Sequence, residues 1–139
     1  MNVPARSEAL VGTVDLRIPS EPEWVAVARL AVSAIANRLP FSVEEIEDVK
    51  LAVAEACTTC IQDSPGEHFI DITCDVAERS LRIRVRDHAF ERSEAARPRA
   101  VAFSEGLGVF IIQALMDDVE YNVDPKSGTE LVMTKRVGS

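Results

Sequence analysis

Residues 68–86 read HFIDITCDVAERSLRIRVR, and the pattern of this stretch decides the fold class. Its apolar residues alternate with polar ones in two runs, which are Ile70, Ile72, Cys74 and Val76, and then Leu81, Ile83 and Val85. A period of two is typical of strands with one buried face, and the short polar joint at 77–80 predicts a β-hairpin. Because a hairpin has no crossover helix, the pattern excludes a doubly wound parallel sheet.

Two helical segments precede the hairpin. Each begins with a Ser-x-x-Glu pattern, at Ser20–Glu23 and Ser42–Glu45, which predicts a capping box at both helix starts. Apolar residues at helical spacing predict the buried faces, which are Trp24, Val27, Ala28, Ala31, Ala34 and Ile35 in the first helix and Ile46, Val49, Val53, Ala56, Cys57 and Cys60 in the second. Pro40 and the breaker cluster at 63–66 are expected to end the two helices.

The remaining segments complete the order of elements. Alternation predicts a first strand at 14–18 and two last strands at 119–123 and 129–135, while an irregular loop at 88–104 precedes an apolar helix at 109–116. The order is therefore β-α-α-β-β-loop-α-β-β. It predicts an α+β fold, a two-layer α/β sandwich whose mixed, largely antiparallel sheet has its helices on one face.

Composition narrows the function classes. The chain of 139 residues carries a net charge of −8, which argues against a basic surface for nucleic acid. No apolar run approaches the ~20 residues that a membrane helix needs, and the odd count of 3 cysteines favours a reducing cytoplasm over a disulfide framework. We expect a cytoplasmic protein with residues 1–11 as a flexible arm and residues 12–139 as one domain.

Polar side chains suggest two candidate sites. Glu55, Thr59 and either Gln62 or Asp63 follow one another at spacings of three or four, so they share one helix face. A carboxylate, a hydroxyl and an amide on that face can orient water or a metal ion, and the alternative is a solvated helix face. Asp87 ends a strand, where a carboxylate can accept a hydrogen bond from the exocyclic amine of a purine; the alternative is a turn-forming residue.

The run Gly106–Gly108 is a third candidate. Its two glycines permit close backbone approach, and the unbonded N–H groups at the start of the following helix attract phosphate; the alternative is a flexible hinge. Cys57 and Cys60 have a spacing found in zinc and redox sites, but both continue the apolar stripe, so buried thiols are the better interpretation. Lys135, near the end of the last strand, is expected to be solvated.

Taken together, three stretches resemble the motifs of one family, the bacterial anti-sigma factor serine kinases of the RsbW and SpoIIAB type. Residues 45–58 (EIEDVKLAVAEACT) resemble the N-box helix, 104–119 (SEGLGVFIIQALMDDV) the second glycine box with its helix, and 128–135 (GTELVMTK) the last strand. Asp87 lies where the first glycine box of the family begins. These kinases belong to the GHKL, or Bergerat-fold, histidine kinase-like ATPases, and the resemblance covers about residues 13–136.

The resemblance implies a role for each matching residue. Glu55 would be the general base for the attacking hydroxyl, Thr59 would occupy the Mg²⁺ ligand position, and Asp87 would bind the adenine amine. The nucleotide would also be held by Gly106, Leu107, Gly108 and, through water, Thr129, beneath a lid formed by residues 89–104. The protein would bind ATP with Mg²⁺, form a homodimer, sequester a sigma factor and phosphorylate a serine of an anti-anti-sigma antagonist of the STAS type.

The sequence departs from the family pattern at positions that matter for catalysis. Thr59 stands where the N-box has asparagine, and Ala89 stands where the first glycine box has glycine. Because Mg²⁺ positioning is a large part of phosphoryl transfer, two hypotheses follow. The chain is either an ATP-dependent protein serine kinase or a non-catalytic binding module, a pseudokinase that captures partners without phosphotransfer. A thiol or zinc protein that uses Cys57 and Cys60 is a distant third.

Overall fold

Five strands and three α-helices make up the part of the chain that the structure, a computed structural model, describes: residues 9–63, 68–87, 107–124 and 128–138. In chain order the elements are β1 (Leu10–Pro19), a 3₁₀ turn (Pro22–Trp24), α1 (Val25–Ala36), α2 (Val43–Asp63), β2 (Phe69–Ala77), β3 (Ser80–Asp87), α3 (Leu107–Leu115), β4 (Asp118–Asp124) and β5 (Gly128–Arg136). The order matches the prediction, and β1 begins at Leu10, inside the stretch expected to be an arm.

The five strands form one sheet in the order β1-β2-β3-β5-β4. Each neighbouring pair is antiparallel, and the predicted hairpin pairs β2 with β3 so that Cys74 lies opposite Ile83. The strands β1 and β4 are the edges of this sheet. The predicted α+β fold is confirmed, and its largely antiparallel pairing holds for all four strand pairs of the described residues.

One face of the sheet packs against the helices and forms the core. Its inward side chains are fully buried, among them Ile70, Ile72, Leu81, Ile83, Val85, Leu131 and Met133. The predicted stripe of α2 lies on them, since Val49, Val53, Ala56 and Cys57 are 0% exposed. Full burial of each large aliphatic side chain stabilises the fold by about 1.5–3 kcal/mol. The two-residue period of the strands and the helical period of α2 are therefore sufficient to fix which faces meet.

The opposite face of the sheet carries charged side chains in cross-strand pairs. Arg17 Nε lies 2.6 Å from Asp71 Oδ1, and Arg86 Nη2 lies 3.2 Å from Glu130 Oε2. Such exposed pairs contribute at most about 1 kcal/mol each. Their main effect is on register, because Arg86 of β3 stands between Asp71 of β2 and Glu130 of β5.

The helix α1 differs from the prediction in its buried face. Ala28, Val32 and Ala36 are 0% exposed, whereas Trp24 and Val27 are 41% and 39% exposed. The predicted face is confirmed at Ala28, and Ile35 packs against the core, but it was wrong at Trp24 and Val27. The helix is apolar nearly all round, so its spacing fits two neighbouring stripes and tertiary packing selects between them. Among the described residues, none of the helices is both long enough and apolar enough to cross a membrane.

Candidate functional site

The helix α3 begins directly against α2 at Gly108. A Cβ atom added to Gly108 would lie 2.8 Å from Thr59 Oγ1 and 2.9 Å from Glu55 Oε2, closer than real side chains approach. Only glycine therefore allows this approach without displacing the two side chains. Glu55 and Thr59 lie one helical turn apart on α2, and both are partly buried. The structure thus brings together three of the residues that the sequence singled out.

The chemistry of this meeting point suits a phosphate group. The first N–H groups of a helix lack partners within the helix and carry a partial positive charge, so the start of α3 favours an anion. Glu55 Oε2 and Thr59 Oγ1 are hard oxygen atoms, the donor type that Mg²⁺ takes, and Mg²⁺ usually binds one or two protein oxygens together with substrate phosphates. The residues present fit a magnesium–phosphate group.

The start of α2 is fixed by the predicted capping box. The Ser42 N–H donates to Glu45 Oε1 at 2.8 Å, and the Glu45 N–H donates to Ser42 Oγ at 3.1 Å. The Gly138 N–H donates to Glu45 Oε2 at 2.8 Å, which ties this helix start to the chain after β5. These hydrogen bonds, with that of the Ser42 N–H the largest cause, lower the pKa of Glu45.

The capping box predicted at Ser20 does not form. The Ser20 N–H donates to His68 O at 2.9 Å, so Ser20 continues the β1–β2 pairing instead of opening a helix. The 3₁₀ turn begins after Glu21, which makes no side-chain cap, and Pro22 occupies its first position. Within the described part of the chain the buried Ser20 Oγ has no hydrogen-bond partner. The prediction was wrong because the backbone N–H of Ser20 is used in pairing with β2, at the carbonyl of His68.

The strands β3 and β5 place Asp87 beside Thr129. The two residues are partners in the antiparallel register, and they are 8% and 7% exposed. They continue the buried rows of Val85 and Leu131 toward one end of the inner face. A buried carboxylate needs hydrogen-bond donors around it, and the exocyclic amine of a base is such a donor. The register thus places Asp87 and Thr129, which the sequence singled out separately, side by side at this end of the sheet.

A histidine for which the sequence suggested no base-binding role lies beside this pair. His68 Nε2 is 3.9 Å from Asp87 Oδ1, and the two side chains are 6% and 11% exposed. His68 has the same parity along the chain as Ile70 and Ile72. Extending the alternation of β2 by one step toward its start would have assigned His68 to the inner face.

Lys135, expected to be solvated, is buried instead. Its Nζ donates to Leu115 O at 2.7 Å and to Asp48 Oδ2 at 3.3 Å. The prediction was wrong because the period of β5 puts Lys135 on the inner face with Leu131 and Met133. Its charge is compensated by a carboxylate and by the last carbonyl of α3, the end of a helix that favours a cation.

Contacts at both ends of α2 set its direction over the sheet. Near its start Asp48 contacts Lys135, and its end is followed after a short linker by the start of β2, at the Asp87 end of the sheet. Glu55 and Thr59 lie about 10 and 16 Å further along the axis than Asp48. The helix α3 runs the opposite way, because its end meets Lys135 and its start meets α2 at Glu55. The candidate residues therefore converge toward one end of the sandwich.

Some predicted features lie outside the described residues. They are Gly106, the lid at 89–104 and Ala89 of the first glycine box. Leu107, the first residue of α3, is 73% exposed. Gln62, considered as a third member of the α2 set, is exposed on the last turns of that helix.

The three cysteines lie in the core. Cys57, Cys60 and Cys74 are at most 2% exposed, as the apolar stripe and strand parity predicted. Burial raises the pKa of the Cys57 and Cys74 thiols to about 12. A thiol that stays protonated at neutral pH is neither a nucleophile nor a metal ligand. The interpretation of these residues as buried thiols is confirmed.

Comparison with known proteins agrees with the fold and with the motifs. A family model described as the histidine kinase-like ATPase domain matches residues 18–135. The chain is 38% identical to the serine-protein kinase RsbW of Halalkalibacterium halodurans, over 88% of this chain and 82% of that protein. It is 36% identical to the protein of the same name from Listeria innocua, over 89% and 87% of the two chains. For the protein from Bacillus cereus the identity is 33%, over 89% and 84%. The chain belongs to the histidine kinase-like ATPase family, and within it to the RsbW type.

Proposed function

We propose that the chain is an ATP-binding anti-sigma factor that sequesters a sigma factor and phosphorylates a serine of an anti-anti-sigma antagonist. The observation that carries the proposal is the approach of Gly108 to Glu55 and Thr59. It puts a carboxylate and a hydroxyl at the helix start that suits phosphate. The name of the relatives, serine-protein kinase, supports the same reaction.

Each group has a role in this proposal. Asp87 accepts a hydrogen bond from the adenine amine, and Thr129 assists it through water. The first N–H groups of α3 bind the phosphates, and Gly106, Leu107 and Gly108 form that cradle. Glu55 takes the proton of the serine hydroxyl as its oxygen bonds to the γ-phosphorus and the bond to ADP breaks. Thr59 would hold Mg²⁺ together with the phosphates, and the ion would neutralise charge on the transferred group.

The proposed partners follow from charge and exposed surface. A net charge of −8 suits a basic patch on a sigma factor and not nucleic acid. A homodimer is supported by the edge strand β1, where Leu10, Val11 and Val14 are 61%, 69% and 43% exposed. An edge strand with apolar side chains favours pairing with a second chain. We place the protein in the cytoplasm, where sigma factors act.

A second candidate function is a binding module that has lost phosphotransfer. Thr59 favours it, because a threonine hydroxyl reaches less far toward a metal ion than the amide of the asparagine in the family N-box. In this alternative the nucleotide pocket and the capture of partners remain, and the serine of the antagonist is not modified.

The decisive experiment incubates the chain with Mg-ATP and its cognate antagonist and measures the gain of one phosphoryl group on a serine by mass spectrometry. Glu55→Gln should abolish transfer and leave ADP affinity unchanged. Glu47→Gln is the matched control, since Glu47 lies on the same helix, is 54% exposed and pairs with Lys50. Transfer by Glu55→Gln at the wild-type rate would refute the assignment of the base. If the chain binds ADP but transfers no phosphoryl group under any metal condition, the kinase proposal fails and the binding module is the function that remains.

Two further variants test the nucleotide contacts. Asp87→Asn should weaken ADP binding, because the amide can present a donor to the adenine amine where the carboxylate accepts. An unchanged affinity in a calorimetric titration would refute the role of Asp87. Thr59→Asn restores the family residue and should lower the Mg²⁺ concentration needed for transfer. An unchanged Mg²⁺ dependence would show that this position does not ligate the ion.

A further inference from the structure

A buried ammonium group joins three elements at the end of the inner face away from Asp87. Lys135 of β5 donates from Nζ to Leu115 O of α3 at 2.7 Å and to Asp48 Oδ2 of α2 at 3.3 Å. The Lys135 side chain is only 7% exposed. The lengths of N–H···O hydrogen bonds span only about 0.5 Å, so these two bonds fix where the end of α3 lies relative to α2.

The same two helices meet again at Gly108, and the spacings of the two contacts agree. On α2, Glu55 lies seven residues after Asp48. On α3, Leu115 lies seven residues after Gly108. At about 1.5 Å per residue each stretch is about 10 Å long. Since the helices run in opposite directions, the Lys135 contact and the Gly108 contact are the two ends of one antiparallel register, and a displacement at one end is passed along α3 to the other.

The other contacts of α3 define its position along α2 less strictly. The helix has nine residues, and its buried side chains are apolar. Apolar burial is not directional. Gly108 has no side chain, so it permits the close approach to α2 without holding it. The Asp117 N–H donates to Thr134 O, which joins the end of α3 to β5 but does not reach α2. The bonds of Lys135 are directional and reach both helices.

We propose that Lys135 is a positioning residue for the phosphate end of the nucleotide site, because it keeps the start of α3 in place against Glu55 and Thr59. The inference rests on the proposed binding of ATP. In that proposal the base lies on the sheet at Asp87, and the phosphates lie at the start of α3. Lys135 touches neither of them and acts only through α3. Loss of its contacts should therefore disturb the phosphate end and leave the base end unchanged.

The test compares two ligands that differ only in their phosphates. Calorimetry measures the binding of Mg-ADP, an NMR titration measures the binding of adenosine, and the ratio of the two affinities reports what the phosphates contribute. Lys135→Met keeps the length of the side chain and removes its donors. It should lower this ratio about ten-fold, the size expected for one lost hydrogen bond to a charged group, and leave the affinity for adenosine unchanged.

Two further variants separate positioning from stability. Asp48→Ala cuts the tie of Lys135 to α2, so its ratio should also fall. Because Asp48 is 35% exposed, this variant should fold, and it decides the question if Lys135→Met does not. Ile18→Val is the matched control. Ile18 is 1% exposed in β1, three strands away from β5, so its truncation loosens the core at a distance from Lys135 and should keep the wild-type ratio.

The outcomes distinguish this inference from the proposed function. If a folded Lys135→Met or Asp48→Ala keeps the wild-type ratio, Lys135 does not position the phosphate end, and the inference is overturned while the proposed nucleotide site stands. It is also overturned if adenosine affinity falls as much as ADP affinity, or if Ile18→Val lowers the ratio equally, since the effect is then a general loss of structure. If wild type binds no ADP, the proposed function fails and the inference fails with it.

Discussion

Gly108→Ala is the sharpest perturbation of the candidate site. Its new methyl group would meet Thr59 Oγ1 and Glu55 Oε2 at 2.8 and 2.9 Å. Each oxygen must withdraw by about half an ångström to reach ordinary contact. Both are the ends of side chains and can rotate away, at about 0.5–1.5 kcal/mol each if they leave their rotamers. Alanine returns up to about 1 kcal/mol in a helix relative to glycine. The free energy of unfolding should therefore fall by no more than about 2 kcal/mol.

Activity should respond as well as stability. A displacement of about 1 Å at a catalytic group can cost a factor of about 100 in rate; the oxygens here move by about half that distance, so phosphotransfer to the antagonist should drop by about ten-fold. The assay compares initial rates and thermal midpoints of wild type and Gly108→Ala. Gly12→Ala is the control, because a Cβ at Gly12 meets nothing within 4 Å. Wild-type transfer by Gly108→Ala would refute the functional importance of this contact, and loss of folding would refute the argument that the two side chains yield.

Three other predictions concern the scaffold. Ser42→Ala removes the acceptor of the Glu45 N–H and should lower the free energy of unfolding by about 1 kcal/mol in a denaturant titration. The pKa of Glu45 is lowered in the fold chiefly by the backbone N–H of Ser42, so the stability from its ionised carboxylate is present above about pH 4.5 and is lost as the pH falls through the lowered value. Glu45→Gln should therefore cost more at pH 7 than at pH 2, and an equal cost at both would contradict this. Lys135→Met should lower the free energy of unfolding by about 1–3 kcal/mol, which is below the range for a fully buried ion pair because Asp48 is 35% exposed. An unchanged denaturant midpoint would contradict the contribution of this contact. The thiols of Cys57 and Cys74, with pKa values of about 12, should resist iodoacetamide at pH 8 until the chain unfolds, and rapid native labelling would refute their burial.

The sequence correctly predicted the buried face of each element whose apolar residues fit only one face. The alternation in β2 and β3 and the stripe of α2 fit a single buried face each, and the structure has those faces. In α1 the apolar residues fit two stripes, and tertiary packing determines which of the two is buried. At Ser20 the local pattern favoured a helix cap, and pairing with β2 at His68 prevailed. Local signals fail where a long-range contact competes for the same backbone or face.

The candidate site shows the same division in its chemistry. Glu55, Thr59 and Gly108 carry motif signals, but their contact depends on how α3 packs on α2, which spacing alone does not contain. His68 and Lys135 belong to no motif, and what distinguishes them is their burial. In the sequence, a buried polar residue near a strand end looks the same as a solvated one. Strand parity distinguishes the two cases, since an inward polar residue must find a partner inside the protein. The Lys135 end satisfies this requirement within the described chain. At the Asp87 end the buried hydroxyl of Ser20 has no hydrogen-bond partner among the described residues, so there the requirement is not met within the described chain.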